Sequence, residues 1–164
     1  MKDLPVDEIQ CVYRFALRLT HDHDTAEEIV QETFLRAWKG RTRLREAGAR
    51  RVWLFRIAAN VWRDGWRRSK SPVAQATPFA DEGPAHTRSP DHLVSEQEQV
   101  VQILQAMDAL PPRQRQVLYL FSVEGLAQGQ IAQVLELSPE AVKAHLSLAR
   151  KALRRRLAAL EPST

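Results

Sequence analysis

LAQGQIAQVLELSPEAVKAHLSLARKALRRRL, residues 126–157, decides how the whole chain is read. A short helical pattern over about 127–135 is followed by a tight turn and then by a longer helix. Ser138 is placed to cap that longer helix and Pro139 to occupy its first position, where a missing N–H costs nothing. Val142, Leu146, Ala149 and Leu153 recur at helical spacing and must pack inward, against Ile131, Val134 and Val117. This is the grammar of a helix-turn-helix, with Glu140, Lys143, Ala144 and Ser147 left outside near the head of the second helix and His145 at its flank. Lys143 is the one clear cation there. Lys151, Arg154, Arg155 and Arg156 come later, where phosphates are the natural partner. Gly129 inside the first helix costs about 1 kcal/mol relative to alanine. Glu136 sits in the turn where Gly or Asn would ease a left-handed backbone. Such a helix predicts weak DNA binding unless something else adds a second grip.

Upstream of the motif, Val100, Ile103, Leu104 and Met107 form one face of a helix resuming near Leu93, which Pro111-Pro112 stop. A short helix follows over about 113–123, and Arg113 and Arg115 at its start are candidates to hold a nucleic-acid backbone. Before these lies SKSPVAQATPFADEGPAHTRSPDH, residues 69–92, with four of the nine prolines and no apolar period. It reads as a linker. The charge follows the same division. The chain of 164 residues carries a net charge of +4, split as +5 over residues 1–70, −5 over 71–110 and +4 over 111–164. Basic blocks on either side of an acidic middle suit a polyanionic partner.

The N-terminal half contains the second grip. Helical spacing predicts a helix over about 6–20, with Val12, Phe15, Ala16 and Leu19 inward. A second is expected to start at an Asp24 cap, with Glu27 three residues on, and to end at Gly40. Its apolar face is Ala26, Ile29, Val30, Phe34 and Ala37; its opposite face carries Glu28, Gln31, Glu32, Leu35 and Lys39. A leucine exposed among acids and an amide is a protein-contact pattern. The third helix, RRVWLFRIAANVWRDGWRR over 50–68, has three faces. Trp53, Leu54, Ile57, Ala58 and Val61 form a core side; Phe55, Ala59, Trp62 and Trp66 a second apolar strip; Arg56, Asn60, Arg63 and Arg67 a polar face suited to phosphates and base edges. Residues 41–70 hold ten Lys+Arg against two acids. Arginines beside aromatics also suit unstacked bases.

DTAEEIVQETFLRAW, WLFRIAANVWRDGWRR and LPPRQRQVLYLFSVEGLAQGQIAQVLELS, in this order around a Pro-rich linker, resemble the extracytoplasmic-function group of bacterial RNA polymerase sigma factors. The resemblance covers most of the chain. It implies an all-α fold: two small helical domains joined by a flexible Pro-rich linker, the C-terminal one a helix-turn-helix. The boundaries expected are 1–68, 69–92 and 93–164. It implies that Asp24, Glu28, Gln31, Glu32 and Leu35 bind the polymerase core. It gives Arg56, Asn60, Arg63, Asp64 and Arg67 to the minus-ten element, with the loop 41–51 accepting a flipped base. Glu140, Lys143, Ala144, His145 and Ser147 would read the minus-thirty-five element, with Arg113, Arg150 and Lys151 on the DNA backbone and the linker threading toward the RNA exit path. The partners expected are core polymerase, promoter DNA and an anti-sigma factor. The recognition helix departs from the family: His145 stands where Arg is usual, Ser147-Leu148 where His-Arg is frequent, and Gln130 replaces an acid.

Two other readings compete. A stand-alone helix-turn-helix regulator leaves the acidic and basic helices of the first half unused. A sigma-like decoy would bind polymerase without directing initiation. An enzyme is not expected: no Gly-rich phosphate loop, Ser–His–Asp or Cys–His set is present. No cofactor and no metal are expected. HDHD at 21–24 invites a metal reading, but Asp24 is taken as a cap and no third ligand is near in sequence. Cys11 is the single cysteine, which fits a reducing compartment. No apolar run suits a signal peptide or membrane insertion, so a cytoplasmic location is expected.

Overall fold

A computed structural model describes residues 6–41, 47–69 and 96–160. Seven helices make up the described residues: α1 (Val6–Thr20), α2 (His23–Gly40), α3 (Ala47–Ser69), α4 (Glu96–Asp108), α5 (Pro112–Ser122), α6 (Gln128–Leu135) and α7 (Pro139–Ala158). The expected linker 69–92, apart from Ser69, lies outside the described residues, as do residues 42–46 of the loop 41–51.

α1 buries Val12, Phe15, Ala16 and Leu19, the expected face. It stops where His21 turns left-handed (φ 55°), a conformation usually left to glycine. That turn moves the next cap. Asp22, not Asp24, is the extended residue ahead of α2, and its carboxylate accepts from the Thr25 N–H at 2.9 Å and from the Thr25 hydroxyl. Asp24 instead lies exposed in the first turn, where an acid favours the helix dipole. Gly40 does not act as a left-handed cap either. It is the last residue of α2, and a Cβ placed there would lie 3.1 Å from the Trp53 ring, so the glycine allows α2 and α3 to close on each other.

α3 packs on one side against α1 and α2 and on another against α6. Its two apolar strips are therefore both used: Leu54, Ala58 and Val61 are buried, and so are Phe55 and Ala59. The Phe55 ring meets Phe15 edge-on at 5.4 Å, and Phe15 in turn lies 5.9 Å from Tyr119 of α5. Through these rings the buried apolar residues of α1–α3 and of α4–α7 form one connected core.

α4 departs from its expected packing. Met107 is buried and Leu104 partly so, but Val100 is 55 % and Ile103 40 % exposed. The helix leans on α5 and α7, which bury Ala106 and Met107 near its C-terminal end. Pro112 takes the first position of α5, as its fixed φ allows.

The helix-turn-helix forms as its apolar spacing requires. Ile131, Val134, Val142, Ala149 and Val117 are fully buried and Leu146 nearly so; Leu153 is partly buried. Gln130 caps α6 by accepting from the Ala127 N–H at 2.9 Å, the role an acid would otherwise take. Ser138 caps α7, its hydroxyl accepting from the Ala141 N–H at 3.1 Å. Ser138→Ala is expected to cost about 1 kcal/mol, the usual value of a lost N-cap. A fall in the urea midpoint at unchanged slope checks it, and no fall would show the cap to be idle.

Candidate nucleic-acid interface and acidic docking face

One long face of α2 is open. Asp24, Glu28, Gln31 and Leu35 follow one another at helical spacing and are exposed, with Leu35 at 48 %. Trp38 continues the same stripe and is 43 % exposed. Its ring is covered by the Arg41 guanidinium at 4.0 Å. The residue reading missed Trp38, although its position three residues after Leu35 was the available signal. Glu32 flanks the stripe and accepts from Arg36 at 2.6 Å, and Arg36 also reaches Asp64 of α3 at 3.3 Å. This pair of contacts, chiefly that with Glu32, raises the Arg36 pKa. The acidic face of α2 is thus tied to the helix carrying the arginines, and Asp64 is engaged in that tie.

The polar face of α3 is only partly open. Arg67 is exposed and Asn60 half-buried. Arg56 and Arg63 turn toward the carboxylate of Glu136, in the turn between α6 and α7, at 3.2 and 3.1 Å. Arg63 first and Arg56 second hold the Glu136 carboxyl below its usual range. On the flank, Trp62 and Trp66 stack with ring centres 6.0 Å apart; Trp62 is partly buried in the core and Trp66 is 39 % exposed. A base-stacking platform next to arginines is compatible with that arrangement.

The head of α7 is open as expected. Glu140, Lys143, Ala144 and Ser147 are exposed and His145 is half-buried. Lys151 is exposed, and Arg150 lies over the Phe121 ring at 4.9 Å. Two other candidates sit differently. Arg115 is buried, donating to the Asp108 carbonyl at 2.7 Å and meeting His21 Nε2 at 3.1 Å, so it is structural and unavailable to a phosphate. Arg113 is half-buried against the Leu135 carbonyl at 3.5 Å. Burial lowers its pKa, and so do Arg63 and Arg67 nearby.

HDHD splits between two partners. His23 meets the Tyr13 hydroxyl at 2.6 Å, while His21 faces Arg115 and Asp108. No group of His, Cys, Asp and Glu among the described residues is arranged to hold a metal ion. Cys11 is half-buried with the Arg14 guanidinium donating to its sulfur at 3.4 Å. No described helix is long and apolar enough to cross a membrane.

Comparison with known proteins adds to this geometry. A family model described as Sigma-70 region 2 matches residues 8–71, and one described as Sigma-70, region 4 matches residues 101–153. The ECF RNA polymerase sigma factor SigL of Mycobacterium tuberculosis is 32 % identical over 156 residues, covering 94 % of this chain and 86 % of that one. A probable RNA polymerase sigma factor, RfaY of Xanthomonas campestris, is 36 % identical over 150 residues, which span 89 % of this chain but 37 % of that protein. SigE of Mycolicibacterium smegmatis is 31 % identical over 148 residues, spanning 90 % of this chain and 57 % of its own. The chain thus spans less than two thirds of both RfaY and SigE. In fold it is similar to the sigma factor RpoE of Bartonella quintana, solved with the anti-sigma factor NepR (TM-score 0.70, 23 % identity, 93 % and 92 % of the two chains). It is also similar to CnrH, solved with the cytosolic domain of CnrY (TM-score 0.65, 24 % identity, 96 % and 87 % of the two chains).

Proposed function

The chain belongs to the ECF family of RNA polymerase sigma factors, and from that premise we propose that it is a dissociable, non-catalytic initiation factor acting in the cytoplasm. The observation that carries this reading is the open stripe Asp24, Glu28, Gln31, Leu35 and Trp38 on a helix that a DNA-binding protein alone has no use for. In this reading the stripe, with Glu32, docks on core polymerase. Arg56, Asn60, Arg63 and Arg67 then engage the minus-ten element, while Asp64 orients Arg36. Glu140, Lys143, Ala144, His145 and Ser147 meet minus-thirty-five bases, and Arg113, Arg150 and Lys151 the adjoining phosphates. Residues 1–68 and 93–164 act as the two promoter-binding units, joined by 69–92. The structural relative RpoE, solved with the anti-sigma factor NepR, supports an anti-sigma partner here as well.

Affinity for DNA comes from tethering. Glu140 and Lys143 offset each other at the head of α7, so the isolated helix grips weakly. Polymerase holds both units and makes the second contact intramolecular, a gain of about 10²–10⁴. Free protein is expected to bind a promoter duplex at least about 100-fold more weakly than the holoenzyme does at physiological salt. A gel shift measures the ratio, and tight specific binding by the free chain would count against this mechanism. Run-off transcription with core enzyme tests the function itself. The sparse charge on the head of α7 favours one second reading, a decoy that binds polymerase without directing it. Co-purification with core enzyme but no specific transcript would select the decoy; neither result would leave a stand-alone regulator.

A further inference from the structure

We propose that the free chain is closed on itself by a carboxylate clasp, Glu136, which holds the two minus-ten arginines Arg56 and Arg63 until the chain is opened. The consequence for DNA rests on the function proposed above; the closure itself does not.

Glu136 is one of two non-glycine residues with positive φ among the described residues, at φ 54° and ψ 45°. Side chains rarely adopt that conformation, and a turn between two helices normally takes glycine or asparagine there. From this strained position the glutamate side chain reaches across to α3. Both oxygens are occupied across the seam: Oε1 accepts from Arg56 and Oε2 from Arg63, 80 and 73 residues away in sequence. Arg113 of α5 also faces Arg63 and Arg67, a like-charge contact across the seam that Glu136 offsets.

Two further ion pairs across the seam have the same polarity. Glu124, buried in the loop before α6, pairs with Arg51 of α3, and Asp108 pairs with Arg18 of α1 at 3.0 Å. In each of these ion pairs the cation comes from α1 or α3 and the anion from the region of α4 to α7. Beneath them Phe15 and Tyr119 form an apolar contact. A basic surface built for phosphates has thus found internal carboxylates, and DNA must displace them. Glu136 is 42 % exposed and Arg56 52 %, so the clasp biases a population and does not lock it.

The test uses the full chain without polymerase. Spin labels at Lys39→Cys and Arg154→Cys, both exposed positions, in a Cys11→Ser background report the distance between the two helical sets. The parental chain is expected to give a dominant short distance. Glu136→Arg should raise the ratio of long to short distances by about fivefold, the scale of two lost exposed pairs. Adding Arg56→Glu and Arg63→Glu to that variant should restore the short distance. Glu136→Gly, which relaxes the backbone but removes the carboxylate, should open the chain as Glu136→Arg does. An unchanged distance distribution in Glu136→Arg and Glu136→Gly, or failure of the charge swap to restore closure, would overturn the proposal. None of these readings involves polymerase or promoter, so they can fail while the initiation function stands, and the reverse.

Discussion

Glu28→Lys with Glu32→Lys is expected to weaken binding to core polymerase by at least about 100-fold and to abolish specific run-off transcripts, while the chain stays folded. Like charges brought together in an interface cost several kcal/mol, and two reversals exceed what the remaining Leu35 and Trp38 contacts can offset. The fold should tolerate the change because Glu28 is exposed on the face of α2 turned away from the core. Glu32 gives up its contact with Arg36, an exposed i,i+4 pair worth about 0.3–0.5 kcal/mol, and a like charge would then face that arginine. Arg36 keeps Asp64. Pull-down on core enzyme and far-UV circular dichroism, taken on the same preparation, separate lost docking from lost structure. Normal capture of polymerase by a folded double variant would remove the premise that α2 is the docking face.

Where local chemistry decides a feature, the residues disclosed it in advance. Val142, Leu146 and Ala149 had to face inward and Ser138 and Pro139 had to begin α7, and each does; Glu136 lies in the turn where Gly or Asn would ease a left-handed backbone, and its backbone is left-handed there. The exposed head of α7 and the open stripe of α2 follow from the same periodicity. What stayed hidden depends on partners distant in the chain. Asp24 and Asp22 are equally good caps in isolation, and the left-handed His21 selects Asp22. Gly40 resembles a helix stop until the Trp53 ring is placed beside it. Arg115 resembles a phosphate contact until His21 and the Asp108 carbonyl enclose it. The arginines of α3 form an unpartnered row on a helical wheel, and only the tertiary arrangement brings Glu136 to two of them. The apolar face expected on α4 fails for a related reason: spacing shows that Val100 and Ile103 share a face, not that anything reaches it.

Phe15→Ala is the single substitution expected to cost the most stability, because this one ring belongs to both halves of the core. It is fully buried, meets Phe55 edge-on and lies tilted against Tyr119. Truncating a buried phenylalanine costs about 3–5 kcal/mol, and paired rings contribute about 0.5–1.5 kcal/mol each beyond their buried area. Against a total stability of about 5–15 kcal/mol for a domain, such a loss leaves little margin. Burial, and then Glu124, raise the pKa of the neighbouring Tyr119 hydroxyl, which stays neutral. Urea unfolding followed by tryptophan fluorescence and by circular dichroism measures the effect. The parental chain should unfold in one transition by both probes, as a connected core demands, and Phe15→Ala should shift the midpoint strongly and split the two curves. Phe121→Ala is the control: that ring is half-buried and carries Arg150 on its face, so its loss should cost less than half as much. A Phe15→Ala chain no less stable than Phe121→Ala would mean that the rings of the seam touch without sharing a core.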